Sequence, residues 1–109
     1  MPEKVKEGLF IMNRQGMIVL TNMDFDNLFD YERNELIGRH ISILAPYSSE
    51  EDTRIYRGII ANLRIHSKWS GELPACMREG SRLFIQVAIQ PLGDPDDCYW
   101  IGIVKDVTE

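Results

Sequence analysis

The 109-residue sequence lacks the features of membrane, nucleic-acid-binding and disulfide-stabilised proteins. No apolar run approaches the ~20 residues that a membrane-spanning helix needs, and residues 1–7 do not resemble a signal peptide. The net charge of −5 disfavours nucleic acid or an anionic membrane as the main partner. Only two cysteines are present, Cys76 and Cys98, which suits a reducing compartment. We therefore expect one globular domain that works in the cytoplasm.

Clustered catalytic groups and metal ligands are also missing. No Ser-His-Asp or Cys-His pattern suggests a nucleophile with its base, and no set of His, Cys, Asp and Glu has metal-site spacing. Asp94, Asp96 and Asp97 are close in sequence, but they share a turn with Gly93 and Pro95, where solvated carboxylates are common. We therefore expect this chain not to be an enzyme.

Strand patterning is strongest in the C-terminal part of the chain. Branched aliphatic residues occupy every second position from Leu83 to Ile89, which predicts a strand with one apolar face. Breaks at Glu79–Ser81 and Gly93–Asp97 separate this strand from an apolar run on either side. The three strands are expected to form an antiparallel meander, whose apolar face must be covered by the rest of the chain.

The N-terminal part predicts a β-hairpin and short helices. Gly8–Met12 and Met17–Thr21 are apolar runs separated by a turn that contains a glycine. Asn22 has the position of an N-cap for a short helix that ends at Asp30, and Glu32–Ile37 predicts a further helical turn.

One long helix is expected from Ser48 to His66. Ser48 or Ser49 would cap it, and acidic residues fill its first turn, as the helix dipole favours. Ile55, Ile59 and Leu63 form an apolar stripe, with Tyr56 and Ile60 beside it, and this face would pack on the sheet.

Several short motifs in this order resemble the PAS sensor family. They are Asn22-x-x-Phe25, Glu35-Leu36-Ile37-Gly38-Arg39, Trp69-x-Gly71-Glu72, Arg78-x-Gly80-Ser81, Gln90-Pro91-Leu92 and Asp106-Val107-Thr108. The resemblance implies an α+β, PAS-like (profilin-like) fold, with a five-stranded antiparallel sheet in the order 2-1-5-4-3 and helices over one face. It assigns residues 1–7 to a flanking segment and 8–109 to the domain. One departure is Asp30, where the family usually has glycine; Asp tolerates a left-handed backbone.

This strand order makes three local predictions. It places the strand containing Pro74 at an edge of the sheet, where proline is tolerated. It separates Cys76 from Cys98 by one strand, or roughly 9–10 Å, which is too far for a disulfide, so both should be free thiols. The resemblance also implies an ion pair between Glu35 and Arg78.

The family's best-known cofactors are not expected. Flavin photosensors of the family use a cysteine within the segment that matches Arg39–Ala45, which has none. The positions with which they read the flavin ring hold Ala75, Ile85 and Val104 here, and the axial histidine of haem sensors corresponds to Thr53. From these positions we expect neither FMN-based photochemistry nor haem binding in this chain.

Flavin adenine dinucleotide remains an alternative, because redox sensors of the family resemble this chain at Lys68–Gly71. Trp69 could stack on a flavin there, or it could anchor the end of the long helix to the sheet. The expected pocket is lined by Ile55, Ile59, Trp69, Ala75, Ile85, Val87 and Val104. Such an apolar space holds a small ligand or is filled core, and we expect no cofactor. His40 and His66 are isolated and should be capping or solvated residues.

The other face of the sheet is predicted to be an interface. Its outward residues on the last two strands are Phe84, Ala88, Tyr99, Ile101 and Ile103, an apolar set that requires a cover. The resemblance implies a homodimer through this face and a signal exit at Asp106 and Thr108. The expected protein is a longer bacterial regulator in two-component or cyclic-di-GMP signalling, with a diguanylate cyclase, histidine kinase or transcription regulator as effector. An FAD-binding redox sensor is the alternative.

Overall fold

The chain folds as a single antiparallel sheet with helices on one face. The computed structural model describes residues 7–46, 50–94 and 99–108, without the side chains of 51–53. Its elements are β1 Gly8–Asn13, β2 Ile18–Thr21, α1 Met23–Phe29, a 3-10 helix Ile41–Leu44, α2 Glu50–His66, β3 Trp69–Cys76, β4 Arg82–Pro91 and β5 Tyr99–Asp106. The five strands lie in the order β2-β1-β5-β4-β3. This confirms the α+β architecture and the strand order that the resemblance implied.

The β1–β2 turn is fixed by Asn13 and Gly16. The side-chain Oδ1 of Asn13 accepts hydrogen bonds from the backbone N–H groups of Gln15 and Met17, each at 3.0 Å. Gly16 has a φ of 87°, and a Cβ at this position would clash with Ile60 of α2. A glycine is therefore required both by the turn and by the helix that passes above it.

Short-range capping defines α1 at both ends. The side chain of Asn22 accepts a hydrogen bond from the N–H of Phe25 at 2.8 Å and another from Leu9 at 2.9 Å, so the cap also ties the helix to β1. Asp30 ends the helix with a φ of 64° and a ψ of 43°, the left-handed conformation that the family's glycine would adopt.

Residues 33–38 form turns and not a helix, so the prediction of a helical turn over Glu32–Ile37 was wrong. Asn34 has a φ of 68°, which interrupts a right-handed helix. The backbone instead makes isolated bonds three residues apart, from Glu35 to Glu32 and from Ile37 to Asn34. Gly38 follows with a φ of 85°, and it returns the chain to the sheet.

The two edges of the sheet are protected differently. Beside β2, the N–H of Gly38 donates to Ile18 and the N–H of Ile18 donates to Arg39, both at 2.8 Å. At the other edge lies β3, with Pro74 inside it, as predicted. Cys76 ends this strand as a buried free thiol. Cys98, the two candidate cap serines and three residues of the acidic turn lie outside the described residues: Ser48, Ser49, Pro95, Asp96 and Asp97.

The long helix covers the inner face of the sheet with the predicted apolar face, except at Ile55. Tyr56, Ile59, Ile60 and Leu63 are buried, whereas Ile55 is 40% exposed. Residues spaced i, i+3, i+4 and i+7 share a helical face, and the four buried residues have this spacing. Ile55 lies beyond the edge of that face, so its assignment to the packing stripe was wrong.

Candidate functional site

A small cavity lies between α2 and the inner face of the sheet, with a volume of about 30 Å³. Its walls are Phe10, Met12, Phe25, Ile41, Leu44, Tyr56, Ile59, Ile60, Trp69, Leu73, Ile85, Val87, Ile89 and Val104. No polar atom of the described residues is exposed to this space. The cavity is therefore an apolar space within the core.

Most residues predicted to line a pocket meet at this cavity. Those that line it are Ile59, Trp69, Ile85, Val87 and Val104. Ala75 is fully buried but is not part of the wall, and Ile55 is exposed on α2. The difference at Ile55 follows from the rotation of the helical stripe described above.

Sequence reasoning missed the N-terminal half of the cavity wall. Phe10 and Met12 come from β1, and Phe25 comes from α1. The signal was present, because Phe10 and Met12 alternate with the less buried Leu9 and Ile11 as strand residues should. β1 and β4 both neighbour β5, so their apolar faces are brought to one cavity.

Two polar contacts hold α2 over the cavity. The hydroxyl of Tyr56 donates to the backbone carbonyl of Pro74 at 2.9 Å. Two turns further along the helix, Nη2 of Arg64 donates to the carbonyl of Arg14 at 2.9 Å. Ile60 lies between these anchors and packs against Gly16. The helix is therefore fixed to β3 on one side of the cavity and to the β1–β2 turn on the other.

His40 is a structural cap. Its Nδ1 accepts a hydrogen bond from the N–H of Ser42 at 3.1 Å, which caps the 3-10 helix. Its Nε2 lies 2.9 Å from the carbonyl oxygen of Gln15, and a carbonyl can only accept, so Nε2 carries the proton. His66 is exposed at the end of α2. Within the described parts of the chain, no three His, Cys, Asp or Glu residues are arranged to hold a metal ion.

Cys76 is shielded from solvent. Its Sγ donates to the carbonyl of Ala45 at 3.4 Å, and burial raises the pKa of its thiol, although the charge of Arg82 opposes this. A protonated thiol is a poor nucleophile, so this cysteine is suited to packing and not to chemistry.

One buried charge lies at the junction of β2 and α1, where sequence reasoning assigned none. Asp26 is almost fully buried, and its carboxylate accepts from the hydroxyl of Thr21 at 2.7 Å and pairs with the guanidinium of Arg33. Arg33 also reaches the carbonyl of Thr21 at 3.3 Å. The cluster joins the turn after α1 to the end of β2, so its role is structural.

The predicted ion pair between Glu35 and Arg78 is present. Oε2 of Glu35 lies 3.2 Å from Nε of Arg78, and the N–H of Arg78 donates to the carbonyl of Phe29 at 2.8 Å. Both side chains are partly exposed, so the ion pair itself contributes at most about 1 kcal/mol. Together, the ion pair and the backbone hydrogen bond join the β3–β4 turn to the end of α1 and to the turn that follows it.

The outer face of the sheet carries a continuous apolar band, here called the outer patch: Leu9, Ile11, Leu20, Ala88, Ile101 and Ile103. In register, Ile103 lies between Leu9 and Ala88, and Ile101 lies opposite Ile11. The patch therefore crosses four strands. Sequence reasoning found its members on β4 and β5 but missed those on β1 and β2.

Two larger side chains flank the outer patch. Phe84 on β4 is 51% exposed, and Tyr99 at the start of β5 is also exposed. An open groove of about 370 Å³ runs beside Ala88, with Lys68, Ser70 and Gln90 on its polar side. The surface thus has both protruding apolar groups and a depression next to them.

A polar row separates Phe84 from the outer patch. It consists of Glu72, Gln86 and Lys105, which are neighbours in register, and Lys105 pairs with Glu7 at 3.4 Å. The row lies between the patch and the end of β5. Phe84 therefore belongs to the region where the chain leaves the sheet.

The predicted exit residues bind back onto β4. The hydroxyl of Thr108 accepts from the N–H of Phe84 at 2.8 Å, and the N–H of Thr108 donates to Oδ1 of Asp106 at 2.8 Å. Between them, the N–H of Val107 donates to the carbonyl of Phe84 at 2.9 Å. The direction in which the chain leaves β5 is thus set by the backbone of Phe84.

A family model described as PAS domain matches residues 6–109 of the chain. The chain belongs to the PAS family. PAS domains are sensory modules, so this is a sensory domain. No curated protein matches the sequence. In the described residues, no helix has the length and apolar character to cross a membrane.

Solved PAS domains have the same fold. A PAS domain from Colwellia psychrerythraea matches with a TM-score of 0.79 at 22% identity, over 94% of this chain and 86% of the other. A domain of a sensory box sensor histidine kinase/response regulator from Geobacter sulfurreducens matches with a TM-score of 0.77 at 21% identity, over 92% and 82%.

A third solved structure is the PAS domain of a LuxR-family transcriptional regulator from Burkholderia thailandensis, in complex with ethanol. It matches with a TM-score of 0.75 at 23% identity, over 93% of this chain and 88% of the other. At these identities the three structures establish the fold of the chain and not its ligand.

Proposed function

We propose that this PAS domain is the sensory and interaction module of a signalling protein. Its input is the cavity beneath α2, and its output leaves through the outer face of the sheet and the C-terminal exit. The observation that carries the proposal is the outer patch, because an apolar band across four strands is costly to leave in water. Among the described residues, none covers Phe84, Tyr99 or Ile103, which remain 38–51% exposed.

A second copy of the chain is the proposed cover of the outer patch. Symmetric dimers are the commonest oligomers, and two sheets pack well face to face through interleaved aliphatic side chains. The groove beside Ala88 offers a depression into which apolar side chains of a partner can fit. The acidic net charge supports a protein partner in preference to nucleic acid or a membrane surface.

The effector is proposed to follow the C-terminal exit. Thr108 and Asp106 hold the end of β5 against Phe84, beside the outer face, so a change in dimer packing would alter the direction of the following segment. The Geobacter and Burkholderia relatives come from a histidine kinase and a transcription regulator, which supports effectors of those classes. A diguanylate cyclase is consistent with the same arrangement. The proposed location is the cytoplasm.

A charged substitution in the outer patch tests the dimer. Ile103→Glu introduces a carboxylate at the centre of the patch. Sedimentation equilibrium of the chain should show dimer association weakened by at least about tenfold in affinity, or about 1.4 kcal/mol. Ile65→Glu is the matched control, because Ile65 is 76% exposed on α2. A chain that is monomeric at high concentration, or an Ile103→Glu variant with unchanged mass, would reject the proposal.

We also propose that the domain works without a flavin or haem. The cavity volume of about 30 Å³ has room for about two water-sized bodies, much less than either cofactor requires. Trp69 contributes to the cavity wall, and its ring also packs against Gly71. Absorbance of the purified chain after incubation with FAD should equal that of free FAD, and retention of yellow colour after gel filtration would favour the redox-sensor alternative.

A further inference from the structure

We infer that the cavity beneath α2 is a dry binding site for an apolar molecule of about the size of dioxygen, and that it excludes aromatic ligands. The inference deepens the proposed sensory function, on which its biological meaning depends. The binding itself can be measured independently of that function.

The first argument is polarity. Ordered water in a protein interior needs two to four hydrogen-bond partners, and none of the described residues exposes a polar atom to this cavity. Tyr56 is one of the lining residues, and its hydroxyl donates to the carbonyl of Pro74 at 2.9 Å. An apolar guest therefore has no bound water to displace and loses no hydrogen bond on entry.

The second argument is size. Engineered apolar cavities of about 150 Å³ remain dry and bind benzene or xenon. The present cavity, at about 30 Å³, is roughly a fifth of that volume. It accommodates a diatomic molecule or a single noble-gas atom, whereas an aromatic ring would require side chains to move apart.

The third argument is the stiffness of the wall. Tyr56 and Arg64 fix α2 on either side of Ile60, and Ile60 packs on the backbone of Gly16. Opposite the helix, Val87 lies on β4 in the interior of the sheet. Because a close-packed wall resists expansion, the size limit should hold in solution.

Xenon is the probe that tests this site. In methyl spectra of the 109-residue chain, xenon should cause saturable shifts at Ile59, Val87 and Val104, and smaller, non-saturating shifts at the exposed Val19. Benzene should cause no saturable shift in the same residues. Saturation of the cavity methyls by benzene, or shifts confined to the outer face, would overturn the inference.

A methyl group added to the wall provides the matched comparison. Val87→Ile fills the space, so the saturable xenon shifts should disappear, while Val19→Ile makes the same change on the exposed part of β2 and should leave them intact. Val104→Ile is a second filling variant if Val87→Ile unfolds. Ile85→Ala enlarges the cavity and should admit benzene. Persistence of xenon binding in both folded filling variants would reject this site.

Sedimentation of the same samples separates the two proposals. Absence of xenon binding in a chain that still dimerises through Ile103 would reject only the cavity inference. Xenon binding in a monomeric chain would support the cavity site and reject the proposed dimer.

Discussion

The inner and outer faces of the sheet are built from the same strands but have different surroundings. On β4, the inward residues Leu83, Ile85, Val87 and Ile89 are buried under the helices, and alternate residues point outward into solvent. Strand alternation alone explains why one face forms the core. It does not explain why outward positions on β5 and β1 are also aliphatic. Folding of one chain does not require those residues, and their presence is the basis of the proposed dimer.

The largest difference in stability between the two faces should appear when one aromatic ring is truncated on each. Phe25→Ala truncates a side chain with 0% exposure and should lower the free energy of unfolding by about 3–5 kcal/mol. Phe84→Ala, at 51% exposure, should cost about 0.5 kcal/mol in the monomer. Urea unfolding at low protein concentration measures both. Equal losses would contradict the assigned difference between the faces.

The second largest effect on stability is expected at the buried carboxylate of Asp26. Arg33→Ala leaves the carboxylate of Asp26 buried, with Thr21 as its remaining side-chain partner in the described part of the chain, so the free energy of unfolding should fall by about 3 kcal/mol. Asp26→Asn in the same background removes the unpaired charge and should recover part of the loss. A double-mutant cycle by urea unfolding measures the coupling, and a cycle energy near zero would count against the pair.

The next prediction compares the effect on stability of adding a methyl group at a crowded glycine and at an open one. Gly102→Ala places a methyl group against the ring of Phe10 on the inner face and should cost about 1–3 kcal/mol. Gly58→Ala, where no atom lies within 4 Å on the exposed side of α2, should stabilise the domain by about 0.5–1 kcal/mol. Thermal unfolding of both variants gives the comparison. If Gly102→Ala has no cost, the inner face is not closely packed there.

At the exit, the expected effect is smaller and local. Thr108→Val removes the acceptor for the N–H of Phe84, so hydrogen exchange of that amide should become faster by an amount equivalent to about 1 kcal/mol. Thr108→Ser retains the hydroxyl and should behave as the natural chain. Unchanged protection in Thr108→Val would show that the exit is held by other contacts.

The smallest effect on stability is expected from the thiol of Cys76. Because burial raises its pKa, the thiol stays protonated at neutral pH and should react much more slowly with iodoacetamide than the unfolded chain. The experiment uses a Cys98→Ala background, so that Cys76 is the one cysteine that iodoacetamide can alkylate. A raised folded-state pKa contributes stability that is present below the unfolded pKa and is lost as pH rises through the folded pKa. The advantage over Cys76→Ala should therefore shrink at alkaline pH, and rapid alkylation at pH 7 would contradict this account.

The fold was predictable because several of its signals are local. The alternation on β4 follows from one short stretch of sequence, whereas the left-handed Asp30 and the strand order that places Pro74 at an edge were implied by the family resemblance. The long helix was predictable too, but not its rotation. Tyr56 and Ile60 form a stripe as apolar as the one through Ile55, and only the position of the sheet decides between them.

The candidate site was less predictable because it depends on contacts between distant segments. The pairing of Asp26 with Arg33 joins residues seven apart across the end of α1, and no pattern in the sequence indicated it. The outer patch requires the register of β1 against β5, which brings Leu9 next to Ile103. Such arrangements follow from tertiary structure and have no periodic signature of their own.

The protected margins of the sheet limit how copies of the chain can assemble. Beside β2, backbone groups are occupied by Gly38 and Arg39, and on β3 the ring of Pro74 interrupts the row of donors. A strand from another molecule therefore meets an obstacle at either margin, and the endless stacking that produces amyloid fibres is disfavoured. An apolar outer face is therefore compatible with the proposed closed dimer, because edge-to-edge growth into open-ended polymers is disfavoured.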